Sequence, residues 1–426
     1  MVVVLTLAYV LSFVDRQILT LLVEPIRKDL GLTDFQMSLV GSPAFAICFL
    51  SFGLYFGWLA DRVRRTRLII FGIAVWCVMT AACAFADSAV ELFFARMGVG
   101  LGEAVLTPCA LSLISDSFQR HQVGKPIGVY SMGVSMGGSL AFLAGGLAIN
   151  WLEQTGHDPF QALGVTVPWR ETFLLVGAPG LLLIPLLWLL REPPRRELLG
   201  SASVRPSIGE VWRYMGKLPR VFVPLFLGKV VVNFVAYSHF WIVPLFDRTW
   251  NMSRKTFAPL WGVVLLFCGL TGVNLGGWLA DRWYKAGIRD AALRIVWLAL
   301  IVIVPIHALA PLMPGSSLAL LFFIPTLIAA GAASSAASIA TMLVTPNQYR
   351  GQMTSLSLLI ASGSGQFLAP TSVAVLTDFV FRDPAALRYS LSIAVLIVSA
   401  IGLSVVWTGL KHYRKGLADL ESQVTR

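Results

Sequence analysis

Charge is what this chain has least of. Asp, Glu, Lys and Arg make up 13% of its 426 residues, while 57% are hydrophobic. A soluble domain carries about 25% charged residues. Folding in water cannot hide so much apolar surface, so a soluble globule is excluded and lipid must cover part of the chain. Ten-residue segments of alternating polarity are missing, which excludes a transmembrane β-barrel. Helices remain, because backbone groups in lipid must be satisfied within their own segment. Cysteine is also scarce. The five (Cys48, Cys77, Cys83, Cys109, Cys268) are odd in number and have no disulfide or metal spacing. There is no His cluster and no nucleophile–base pair, so neither an enzyme nor a cofactor is expected. Gly98-x-Gly100 follows no strand and leads to no Lys, which excludes a nucleotide loop. The first apolar run has neither a basic leader nor a cleavage site. It contains Asp15-Arg16 and reads as a retained helix.

What is present is a repeat. Gly57-Trp58-Leu59-Ala60-Asp61-Arg62 recurs letter for letter as Gly277-Trp278-Leu279-Ala280-Asp281-Arg282. Each copy ends an apolar run and opens a basic one. Such repeats are sought first because they define the architecture. Apolar runs of about 20 residues, enough to cross a bilayer, give twelve spans. The hexapeptide closes the second span of each half. The expected fold is all-α and integral to the membrane, with twelve helices in two pseudo-symmetric six-helix halves. Residues 1–190 form the first bundle, 191–218 a linker, 219–410 the second bundle and 411–426 a tail. Thr33–Gln36 and Ser88–Glu91 read as capping boxes that open helices 2 and 4. In the linker, Trp212 and Tyr214 among basic residues suit an amphipathic surface helix as well as a tether.

The net charge of +11 does not indicate nucleic acid. Most Lys and Arg fall in the even-numbered loops, the linker and the tail, which sets topology. Both termini are expected in the cytoplasm and the protein in the cell's inner (plasma) membrane, as a monomer. Charges inside a span are costly and functional by default. Asp15 in helix 1 and Glu103 in helix 4 lie at similar depth, roughly 20 Å from the cytoplasmic ends at 1.5 Å per residue. Both are candidates for proton coupling. Arg96 lies seven residues before Glu103, which returns it to nearly the same face. Arg16 is one step from Asp15 and must point elsewhere. Burial drives a carboxyl towards its neutral form and a nearby Arg drives it back. Movement of one against the other would therefore take up and release a proton. Arg16 and Arg96 are candidate partners of a carboxylate or of a substrate head group. Lys229, Asn233 and Tyr237 make a candidate polar stripe on helix 7. Asp61 and Asp281 end the second helix of each half, where a carboxylate can face a neighbouring helix N-terminus.

The sequence Gly57-Trp58-Leu59-Ala60-Asp61-Arg62-Val63-Arg64-Arg65-Thr66-Arg67 resembles the signature of the major facilitator superfamily, with Arg64 where the family has a second glycine. Asp15-Arg16 and Arg96-Met97-Gly98-Val99-Gly100-Leu101-Gly102-Glu103-Ala104 are similar to the Spinster branch of lysolipid and sphingolipid transporters. The resemblance implies a cytoplasmic latch at Asp61, Arg62 and Arg65, with Asp281 and Arg282 as the second copy. It also implies functional roles for Asp15, Arg16, Arg96 and Glu103. The expectation is a proton-coupled carrier working by alternating access. Its substrate would be an anionic amphiphile, such as a lysophospholipid or a sphingoid phosphate. A proton-coupled carrier of organic anions or drugs is the alternative. A non-transporting receptor is a third reading; it calls for an effector domain that this sequence is not expected to contain.

Overall fold

The structure is a computed structural model that describes residues 1–60, 62–119, 122–155, 160–194 and 208–424. No strand occurs among the described residues. Twelve helices are long and apolar enough to span a bilayer. In chain order they are α1 (Val2–Asp29), α2 (Asp34–Ala60), α3 (Arg65–Cys83), α4 (Ala89–Ser117), α5 (Gly124–Leu152) and α6 (Pro168–Trp188). The second six are α7 (Pro219–Trp250), α8 (Arg254–Lys285), α9 (Ala291–Leu312), α10 (Ser316–Leu343), α11 (Arg350–Phe381) and α12 (Pro384–Leu420).

Local chemistry explains where these helices start and pause. At Thr33 the hydroxyl accepts from the Gln36 amide while Gln36 reaches back to the Thr33 amide, the reciprocal capping box the sequence predicts. At Ser88 only half of that box forms. The hydroxyl accepts from the Glu91 N–H, and the Glu91 carboxylate takes the amide of Asp87 instead. Three spans pause before a proline. α2 breaks at Ser42 ahead of Pro43, α4 at Ala104–Val105 ahead of Pro108, and α7 at His239–Trp241 ahead of Pro244. Proline lacks the N–H of the ladder and crowds the carbonyl four residues back. A separate helix, Ile208–Lys217, lies in the linker. It buries Val211 and exposes Trp212, and its Tyr214 hydroxyl donates to the Val344 carbonyl. The last helix continues past its apolar part to Val424.

The chain forms two compact units, residues 1–202 with 251–266, and residues 203–250 with 267–426. In the first, α1 packs on α5, α3 on α4 and α6, and α2 on α4. The second repeats the scheme six helices later, with α7 on α11 and α9 on α10 and α12. Small residues set these approaches, as is usual where lipid gives no hydrophobic drive for helix pairing. On α4, a Cβ at Gly98 would strike Met79, and one at Gly102 would lie 2.6 Å from the Gly72 carbonyl; both glycines face α3. Gly100 faces the other way, against the Phe45 carbonyl of α2. Gly137 lets α5 close on α1, where a Cβ would lie 2.5 Å from the Val10 carbonyl.

Candidate functional site

The glycine run wedges α4 between α2 and α3, and this wedge delivers Arg96 and Glu103 to α1. Ser12 and Arg16, four residues apart, share a face of α1, and Asp15 lies about 100° round from Arg16. Arg16 Nε lies 2.6 Å from Glu103 Oε2, and the Ser12 hydroxyl donates to the same oxygen at 2.7 Å. Asp15 takes the other charge. Its Oδ1 lies 3.4 Å from Arg96 Nη1, and its Oδ2 accepts from the Thr80 hydroxyl of α3. Adjacent residues on α1 thus serve different partners, as their 100° separation requires. The two pairs differ in one respect. Both Asp15 oxygens are bonded, whereas Glu103 Oε1 is buried without a hydrogen-bond partner among the described residues.

Burial distinguishes the members further. Asp15, Arg96 and Glu103 are 1–2% exposed, while the Arg16 side chain is 17% exposed. Arg16 is therefore the partly open member of this cluster. Its guanidinium lies 4.3 Å from the Phe49 ring centroid, 4.6 Å from that of Phe45 and 4.9 Å from that of Phe13. Cations over aromatic faces are attracted by the ring quadrupole, the more so when desolvated. Beside them Tyr9 stacks on Tyr130 at 4.4 Å. Ser12 and Thr80 went unread in the sequence. Ser12 could have been found from its four-residue spacing to Arg16; Thr80 carried no signal in an apolar run.

In the second unit Lys229 is 6% exposed and donates to the Ser357 hydroxyl at 2.9 Å, joining α7 to α11. Among the described residues it makes no ion pair. Asn233 turns back to the Lys229 carbonyl, and Tyr237 lies where Gly365 brings α11 close. The three residues share a stretch of α7, and Lys229 sends its side chain to α11 by hydrogen bond.

The repeated hexapeptide gives a repeated geometry. Arg62 lies over Trp58 at 3.7 Å and Arg282 over Trp278 at 5.3 Å, each four residues on. Asp281 and Arg282 are exposed, and Asp61 lies outside the described residues. Arg65 is fully buried and spends its donors within the first unit. It binds Asp116 and Ser112 of α4, Glu192 after α6, and the Pro193 carbonyl. Burial alone would raise the Glu192 carboxyl. The backbone and side-chain N–H groups of Arg65 and the Thr66 hydroxyl outweigh it and hold that carboxyl below the usual range. The second unit has the same strap with its polarity reversed. Asp290, buried ahead of α9, is held by Arg294 at 3.1 Å and by Arg414 of α12 at 2.9 Å. Burial would raise Asp290 too, and these two arginines hold it low. Asp116 and Glu192 were missed in the sequence because nothing local links them to Arg65.

A twelve-helix membrane protein of two repeated bundles, with ion pairs sealed among its spans, has the build of a secondary carrier. The model of the Major Facilitator Superfamily matches residues 5–370, and the chain belongs to that family. It is 27% identical over 421 residues to an MFS-type efflux pump of Mycolicibacterium smegmatis, covering 98% of this chain and 93% of that one. It is 25% identical to the hexuronate transporter of Bacillus subtilis over 68% of this chain and 66% of the relative. Among solved structures it is similar to a bacterial homologue of the human lysosomal transporter Spinster, in an inward-facing and unoccupied conformation. The TM-score is 0.81 at 25% identity, over 98% of this chain and 96% of that one. The protein is a Spinster-like membrane transporter of this superfamily.

Proposed function

We propose that the protein is a proton-coupled carrier of anionic amphiphiles, with Glu103 as its principal proton site. The observation that carries this is the Arg16–Glu103 pair. A buried carboxylate that keeps one oxygen unbonded is balanced by a cation that is itself partly exposed. When an anionic substrate draws Arg16 away, Glu103 is left as an uncompensated buried charge, which is costly until it takes a proton. Return of Arg16 expels that proton. Asp15 is the second site; with both oxygens bonded and Arg96 sealed beside it, it releases its partner less readily. Asp61, Arg62, Asp281 and Arg282 act as the gate on the basic-loop side. Arg65 supports it by holding α3 to α4 and to the segment after α6. Both termini lie in the cytoplasm and the protein works as a monomer in the inner membrane.

The phenylalanines around Arg16 support an amphiphile, since they offer an apolar bed beside the cation. A second reading, a small organic anion, is favoured by the buried Lys229 with no ion pair and by the likeness to the hexuronate transporter. Purified protein in liposomes separates the two. Radiolabelled lysophosphatidate and glucuronate are offered across an imposed pH gradient. Lysophosphatidate should accumulate and glucuronate should not; accumulation of glucuronate alone would replace the first reading with the second.

A further inference from the structure

Outside the charge cluster, the first unit holds a cavity of about 1040 Å³ between the start of α3 and the end of α6. Four guanidiniums line it, those of Arg62, Arg64, Arg67 and Arg191. The side chains of Arg64, Arg67 and Arg191 make no hydrogen bond or ion pair among the described residues. The one acid on the wall, Glu192, is already taken by Arg65 and Thr66. The cavity therefore has a positive surplus that the described residues do not neutralise. Its apolar side is built for oil. Trp188 on its wall and the adjoining Leu189, at the end of α6, are 78% and 79% exposed. An exposed Trp beside arginines that no described residue pairs, at the end of a span, is the arrangement of a membrane interface. Arginine suits phosphate oxygens through its planar fork of donors. Basic pockets at the ends of spans hold anionic headgroups.

We infer that this cavity binds the phosphate headgroup of an anionic phospholipid of the surrounding leaflet, with the acyl chains lying along Trp188 and Leu189. The site is distinct from the Arg16–Glu103 pair, and of the proposed gate residues Arg62 lines it.

The test uses the full chain in detergent, with equimolar phosphatidylglycerol and phosphatidylcholine, read by native mass spectrometry. The wild type should retain phosphatidylglycerol preferentially. The triple variant Arg64→Gln, Arg67→Gln, Arg191→Gln should lose that preference by about tenfold or more, and the corresponding triple Lys variant should keep most of it. Millimolar inorganic phosphate should not displace the lipid. Equal retention of the two lipids by the wild type, unchanged preference in the Gln variant, or displacement by phosphate alone would each overturn the inference. Should the Gln variant fail to fold, spin-labelled lipids in wild-type nanodiscs decide. Selectivity for phosphatidylglycerol that falls with salt supports the site, and its absence refutes it.

Discussion

Two carboxylates in the first unit look alike in the sequence and differ in the structure. Asp15 has every acceptor filled, and Glu103 has one to spare. That asymmetry predicts different phenotypes. Arg96→Gln strands Asp15 as a buried, half-bonded charge and should cost about 3–5 kcal/mol of stability. Reversible unfolding in mixed detergent would measure it, and the added change Asp15→Asn should recover much of the loss. Lys229→Met removes a charge that has no ion pair. It should leave stability nearly unchanged while weakening uptake of the anionic substrate. A large loss of thermal stability in detergent, with uptake unaltered, would reassign Lys229 to structure alone.

At the scale of helices, the glycines of α4 fix how its charges are presented. Gly100→Ala pushes against the Phe45 backbone and should cost about 1–3 kcal/mol, as overpacking does. Gly128→Ala on α5, where a Cβ would meet nothing, should be close to neutral. A thermal-shift comparison of the two tests the wedge directly. The straps make a pH prediction. Glu192 and Asp290 are held below their ordinary values, so their contribution is complete above about pH 4–5. It is lost as the pH falls through their folded values. Thermal stability in detergent should be flat from pH 7 to about 5 and then drop, and Asp290→Asn should lower the plateau and blunt the drop. The spans themselves were legible in the sequence, because oil imposes one length and one backbone solution on every crossing. The Thr33 capping box and the presentation of Arg96 and Glu103 to one neighbouring helix were legible for the same reason: they depend only on helical spacing. Pairing was not. That Arg16 serves Glu103 and Arg96 serves Asp15 depends on how α1 docks on α4. That Arg65 meets Asp116 and Glu192 depends on contacts 51 and 127 residues apart.

At the scale of the whole molecule, two units built on one scheme hold their titratable charges unequally. The first pairs Arg16 with Glu103 and Arg96 with Asp15 among its spans, and the second keeps a lysine bonded to a serine. On the proposed mechanism, proton handling belongs to the first unit and anion contact to both. If the hexapeptide is a gate, Asp61→Asn should shift the resting population towards the state open on the basic-loop side. Spin-label distances across that side should lengthen, and unchanged distances would remove Asp61 from the gate. The central claim is that Glu103 gives up and takes back a proton as Arg16 moves. Its most direct test is proton flux in liposomes loaded with a pH-sensitive dye, with labelled lysophosphatidate followed in the same vesicles. Adding substrate to the wild type should move the lumenal pH in step with uptake. Glu103→Gln should still exchange substrate down its gradient and leave the pH unmoved, and a proton flux equal to wild type in that variant would contradict the claim.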